Sequence, residues 1–187
     1  MNSALLVIDM QRGFDDASFW GPTTNPDCAA NVARLIEAWT KSGEPIVVVR
    51  HDSESPDSPL HPENPGNALV ESVAALTPAV VVRKHVNSAF YGDVDLHAWL
   101  AERGIRNLVL CGIQTNMCVE TTARMAGNLG YDVTVALDAT RTFDLSADVA
   151  GLGTVTRTAG ELMATTALDL QAGGFARIAT TASLTRN

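Results

Sequence analysis

Asn107-Leu108-Val109-Leu110-Cys111-Gly112-Ile113-Gln114-Thr115-Asn116-Met117-Cys118 is the stretch that decides how this chain folds. Its first part, Asn107–Cys111, is too short for a helix and almost unbroken in apolar character, as a parallel strand covered on both faces reads. Over Met117–Leu129 apolar residues recur at helical spacing, and Gly130 supplies the stop. The alternation continues in both directions. Further strands are predicted at Ala4–Ile8, Pro45–Val49, Ala79–Val82, Asp132–Leu137 and Ala176–Ala179. Helices are predicted over Asp27–Ser42, where Val32, Leu35, Ile36 and Trp39 share a face ahead of Gly43, and over Asp93–Arg103, which Gly104 ends. Strands alternating with helices define an α/β fold around one mostly parallel sheet of six strands, with helices on both faces.

Two stretches break the rhythm. Ser53–Asn67 is crowded with Pro, Ser, Asp and Asn and reads as a long functional or mobile loop. Asp138–Gly160 carries Thr, Ser and three glycines, and its weak periodicity predicts a helix from about Ser146. The 187 residues suit a single domain spanning 1–187, long enough to bury a real core. Hydrophobic residues at 46% and charged residues at 18% exclude a disordered chain. No apolar run reaches the ~18–20 residues of a membrane span. The apolar run after Met1-Asn2-Ser3 stops at Asp9 with no basic leader. Cys28, Cys111 and Cys118 are odd in number and form no CxxC pair, so the expectation is free thiols and a cytoplasmic protein. A net charge of −8 argues against nucleic acid as a partner.

In open parallel sheets ligands sit beyond the carboxyl ends of the strands. Three such ends carry reactive groups. The first strand ends at Asp9, the third at Arg83-Lys84-His85, and the fourth runs through Gly112 toward Cys118. Because parallel strands point one way, an acid, an ammonium and a thiol would meet at one rim and build an activated nucleophile. With Thr115 or Asn116 as N-cap, Cys118 would lie in the first turn of its helix, where unpaired N–H groups favour a thiolate and can hold an oxyanion. Read alone, Cys118 is equally a packed core cysteine, as Cys111 is expected to be. Lys84 is one of only two lysines, and Arg83 must face the opposite side of its strand. Asp9 in this arrangement would be the base toward the thiol and then the acid toward a leaving group.

These segments resemble the isochorismatase-like cysteine hydrolases, which include nicotinamidases, N-carbamoylsarcosine amidases and isochorismatases. The resemblance is carried by Leu6–Gln11, Lys84–Phe90, Gly112–Val119 with Thr121–Arg124, Gly130–Val133, Asp138–Thr140, and Phe175–Ile178 with Thr180-Thr181. It implies a Rossmann-like three-layer sandwich and a catalytic triad of Asp9, Lys84 and Cys118. It also implies a cis peptide at Ile113–Gln114, which would turn the Gln114 N–H toward the Cys118 N–H as an oxyanion hole. A homodimer or higher homo-oligomer is implied as well. The nicotinamidase branch holds a divalent metal with an Asp-x-His pair and a further His. Here the order is inverted, Arg50-His51-Asp52, with His61 in the loop, so no metal and no other cofactor is expected, although the three side chains can in principle meet.

The substrate-wall candidates are Phe14 and Trp20 after the first strand and Phe90 after Lys84, while Asn116 would anchor a carbonyl or serve as N-cap. Phe19 and Tyr91 read more simply as packing under a loop. The expected reaction is hydrolysis of an amide, ureido or related C–N bond in a small-molecule substrate through a Cys118 thioester. Two alternatives stand beside it. A vinyl-ether hydrolase would need the acid more than the thiol, and a redox or ligand-binding module would use the sheet alone. Against the last, Asp9–Phe14 is not a Gly-x-Gly-x-x-Gly phosphate turn.

Overall fold

A computed structural model describes residues 3–185. In chain order the elements are β1 (Ser3–Ile8), α1 (Ala17–Trp20), α2 (Cys28–Ser42), β2 (Ile46–His51), α3 (Glu71–Ala74), β3 (Val80–Lys84), α4 (Leu96–Glu102) and β4 (Asn107–Ile113). They continue with α5 (Glu120–Asn128), β5 (Asp132–Arg141), β6 (Leu145–Val149), β7 (Gly153–Arg157), α6 (Ala159–Ala172), β8 (Arg177–Ala179) and α7 (Thr181–Leu184).

Six strands form one sheet in the order β3-β2-β1-β4-β5-β8, and every pairing is parallel. The side-chain alternation of β1 sorts the core into two layers. Ala4, Leu6 and Ile8 join Leu96 and Leu100 of α4, Ala123 and Ala126 of α5, and Leu170 of α6 on one face. Leu5 and Val7 meet Val32, Leu35, Ile36 and Trp39 of α2 on the other. This is the α/β three-layer sandwich expected from the sequence, and β1 is buried at every position because it is covered on both faces. Among the described residues no helix is long and apolar enough to cross a membrane.

Strand order reverses between β1 and β4, so the crevice a doubly wound sheet opens at its switch point lies between their carboxyl ends. Gly112 keeps those strands together. Its φ is +120°, and a Cβ there would stand 1.9 Å from the carbonyl oxygen of Ile8. Gly112→Ala is therefore expected to cost at least about 3 kcal/mol in chemical denaturation. A loss below about 1 kcal/mol would mean that the two strands can part at this point.

One expectation is corrected. No helix starts near Ser146; β6 and β7 instead form an antiparallel hairpin, and α6 begins only at Ala159. Gly151 and Gly153, at φ +82° and +73°, supply the left-handed positions of the turn. The helix start is a capping box in which the Thr158 side chain accepts the Glu161 N–H and Glu161 accepts the Thr158 N–H. The long loop after β2 is pinned rather than loose: the Asn67 amide, itself buried, donates to the carbonyls of His51 and Leu60 and to the Asp52 carboxylate.

Candidate active site

Asp9 is the residue immediately beyond β1, in the left-handed region at φ +51°, and its side chain is fully buried. A non-glycine residue held there is uncommon and marks a position fixed by its surroundings. Lys84 ends β3 with its side chain inward and also fully buried, while Arg83 points out. In register beside Lys84 stands His51, the last residue of β2. The Lys84 ammonium donates to Asp9 Oδ2 at 2.6 Å and to Cys118 Sγ at 3.2 Å, and it lies 3.1 Å from His51 Nδ1. An ammonium has three protons, and here each has one acceptor. With Nδ1 accepting, the imidazole carries its proton on Nε2.

Electrostatics follow from this contact set. Burial alone would strip the Lys84 proton, but the Asp9 carboxylate and the Cys118 sulfur outweigh it and hold the Lys84 pKa above its ordinary value. Burial, helped by Asp9, pushes the Cys118 thiol well up against the opposing pull of Lys84. Burial and the neighbouring ammonium push His51 down, so its ring is neutral. The resting site is thus a thiol, an ammonium and a neutral imidazole gathered around Asp9. Asp9 Oδ1 is buried and has no hydrogen-bond partner, a rare condition for a buried polar atom.

Cys118 is delivered by the passage out of β4. The Ile113–Gln114 peptide is cis. Thr115–Val119 forms a single π-helical turn that continues into α5; such turns are frequent at functional sites. The expected N-caps are corrected. Gln114 occupies that position, and its carbonyl accepts the N–H groups of Met117 and Val119. The side chains of Thr115 and Asn116 are engaged with β5 and the segment after it: the Thr115 hydroxyl donates to that of Thr140 at 2.8 Å, and the Thr142 hydroxyl donates to Asn116 Oδ1.

A cavity of about 500 Å³ opens above this cluster. Cys118 and Gln114 are on its wall, as are Phe14 and Trp20. Phe90 and Asn116 are not among its lining residues. Phe90 lies on the α4–α5 side of the sheet and stacks on Tyr131 with ring centroids 6.0 Å apart, while Asn116 faces Thr142. Phe19, read from the sequence as packing, is half exposed at the cavity rim.

The sequence reading misses His51, Asn87, Phe143 and Asp144 as wall residues. Asn87 Oδ1 lies 3.7 Å from Cys118 Sγ. Gln11 has a role of its own, because its amide donates to the His51 carbonyl and accepts the His51 N–H, fixing that residue beside Lys84. The strand-end rule that found Asp9 and Lys84 applied equally to the end of β2 and to Phe143-Asp144 after β5.

His51, Asp52 and His61 do not converge. Asp52 binds Arg50 and Asn67, His61 Nδ1 accepts the Glu63 N–H, and only His51 faces the cavity. Among the described residues, the groups of metal-ligating type within 4.8 Å of one another are those of Asp9, His51 and Cys118. The Lys84 ammonium already contacts all three of these groups, so they do not suit a divalent ion.

The acid, ammonium and thiol thus lie at the switch point of a fully parallel α/β sheet, beneath a cavity of small-molecule size, which is where such sheets bind their ligands. Residues 3–167 match the family of the isochorismatase domain, and the chain belongs to that family of hydrolases. It is 37% identical over 142 residues to the uncharacterized isochorismatase family protein YrdC of Bacillus subtilis, covering 76% of this chain and 75% of that one. It is 32% identical over 173 residues to the ureidoacrylate amidohydrolase RutB of Variovorax paradoxus, covering 74% and 68%. The crystal structure of a putative hydrolase of the isochorismatase family from Chromobacterium violaceum superposes with a TM-score of 0.88 at 38% identity, covering 98% of this chain and 91% of that one.

Proposed function

We propose that the protein hydrolyses a C–N bond of a small amide or ureide through a thioester on Cys118, with Asp9, Lys84 and Cys118 as the triad. As the sulfur attacks the carbonyl carbon, Asp9 Oδ1 takes the thiol proton and the carbonyl π pair moves onto oxygen. The N–H groups of Gln114 and Cys118 hold that oxyanion. Collapse of the tetrahedral adduct expels the amine, which takes the proton back from Asp9. A water then gives its proton to Asp9 while attacking the thioester, and the departing sulfur recovers it. Lys84 remains protonated throughout, stabilising the negative charge as it passes between carboxylate and sulfur.

The observation that carries this reading is the division of labour at Asp9. Oδ2 is committed to Lys84 at 2.6 Å, whereas Oδ1 is buried without a partner, with the thiol close by. An unpaired buried oxygen is costly unless it has a proton to receive. The raised thiol pKa fits the same scheme, because a neutral resting thiol calls for a base. Similarity to an amidohydrolase supports the choice of bond. The test uses any small amide found by screening to release amine. Acid quenching during turnover should show the acyl mass on Cys118, and added hydroxylamine should divert product to the hydroxamate. Amine release with neither an adduct nor a hydroxamate would sink nucleophilic catalysis.

A further inference from the structure

The charge distribution around the cavity bears on what it can bind. Among the described residues that line it, Asp144 is the only one with a formal charge. No lysine or arginine is on the wall. Lys84 lies beneath, with all three protons taken by Asp9, His51 and Cys118. Arg141, from the end of β5, donates to the Phe14 carbonyl and the Asp15 carboxylate, and its guanidinium lies 5.7 Å from the Phe143 ring centroid without being one of the lining residues. His51 presents a neutral ring. A carboxylate entering here would leave its water without a lysine or arginine on the wall to pair with, and it would approach a protein of net charge −8.

The opposite case is well provided for. Phe14, Trp20 and Phe143 form an aromatic cluster, with Phe14–Trp20 centroids 4.9 Å apart and tilted at 34° and Trp20–Phe143 centroids 5.3 Å apart. Phe19 meets Trp20 edge to face at 4.8 Å. The Trp20 indole N–H is spent on the Gly13 carbonyl at 2.8 Å, so the half-exposed Phe19 and the neighbouring Trp20 bring aromatic surface rather than an indole donor to the cavity. Ring faces attract cations. Beside them sits Asp144, positioned through Oδ1, which accepts the Ala159 N–H at 2.7 Å at the start of α6.

We infer that the site selects a substrate bearing a cationic nitrogen, held against the Phe19–Trp20 part of the wall with Asp144 as counter-ion, and rejects carboxylate-bearing substrates. This deepens the proposed amide hydrolysis by naming the charge class of its substrate. It also separates the chain from its ureidoacrylate-hydrolysing relative, since an acrylate is itself a carboxylate.

The test requires no turnover. Benzyltrimethylammonium, its uncharged isostere neopentylbenzene and phenylacetate are titrated by NMR into the full chain and into Asp144→Asn. Asparagine retains an acceptor for the Ala159 N–H, so the hairpin-to-α6 junction is kept. The cation should bind at least about 10-fold more tightly than the isostere and about 100-fold more tightly than phenylacetate. Asp144→Asn should shrink the first ratio by about 5-fold or more while leaving isostere binding unchanged. Phenylacetate binding as well as the cation, no measurable binding of the cation, or a preference indifferent to Asp144→Asn would overturn the inference. The two proposals fail separately. An acyl-cysteine without charge preference removes only this one, and charge preference without an acyl-cysteine removes only the thioester route.

Discussion

Lys84→Met is expected to destabilise the fold by about 3–5 kcal/mol in addition to abolishing turnover. The carboxylate of Asp9 is fully buried, and among the described residues the ammonium of Lys84, at 2.6 Å, is the cation paired with it. Methionine fills much the same volume, so little of the loss comes from packing. What remains is a buried carboxylate with no counter-charge, which is the costly outcome when one half of a buried pair is removed. The double variant Asp9→Asn/Lys84→Met separates the two effects. With neither charge present it should recover to within about 1–2 kcal/mol of the parent, because a buried ion pair replaced by neutral groups is close to neutral in stability. Its activity should stay absent. Both variants are read by urea denaturation with far-UV circular dichroism. A single variant less than about 1 kcal/mol below the parent would mean that solvent reaches Asp9, contrary to its burial.

The sheet was legible because its strands announce themselves one by one. Ala4–Ile8 and Asn107–Cys111 are too apolar and too short to be anything but covered strands, and the helix stop at Ser42-Gly43 falls where the left-handed Gly43 at φ +71° ends α2. The hairpin was not legible for a physical reason. β6 is exposed along its whole length, so it carries no buried stripe from which a period could be read. Its signals were local instead: two glycines in the left-handed region and the Thr158-x-x-Glu161 capping box.

The site divides in the same way. Asp9, Lys84 and Cys118 could be named because each stands at or just beyond the end of a strand that the sequence makes obvious. His51 also stands at a strand end, but a histidine beside an aspartate suggests metal ligation, and nothing in the local sequence says that Gln11, 40 residues away, turns its backbone to face Lys84. Phe90 shows the reverse error. Proximity to Lys84 along the chain favoured the cavity, yet the turn over Ala89–Tyr91 packs it into the core layer of α4 and α5, where Tyr131 offers a stacking partner. Which side of the sheet a loop residue takes is set by partners distant in sequence, and a single chain does not print them.

Cys118→Ala is expected to reduce turnover by roughly 10⁴-fold or more, since losing the nucleophile of a cooperating set removes nearly all its catalysis. The fold should tolerate it. Cys118 is 7% exposed and sits among core residues, but one lost sulfur should cost no more than about 1.5 kcal/mol. Cys118→Ser is the sharper variant. It keeps an acceptor for Lys84 and a proton for Asp9, but an alkoxide is much harder to form than a thiolate, so it too should lose at least about 10³-fold in kcat. A vinyl-ether hydrolase would behave otherwise, because there Asp9 supplies the proton and the residue at 118 does little. Activity persisting in Cys118→Ser and vanishing in Asp9→Asn would assign the reaction to acid catalysis. Loss in all three variants, with the two Cys118 variants melting within a few degrees of the parent and Asp9→Asn still folded though destabilised by its unpaired Lys84, is what attack by sulfur requires.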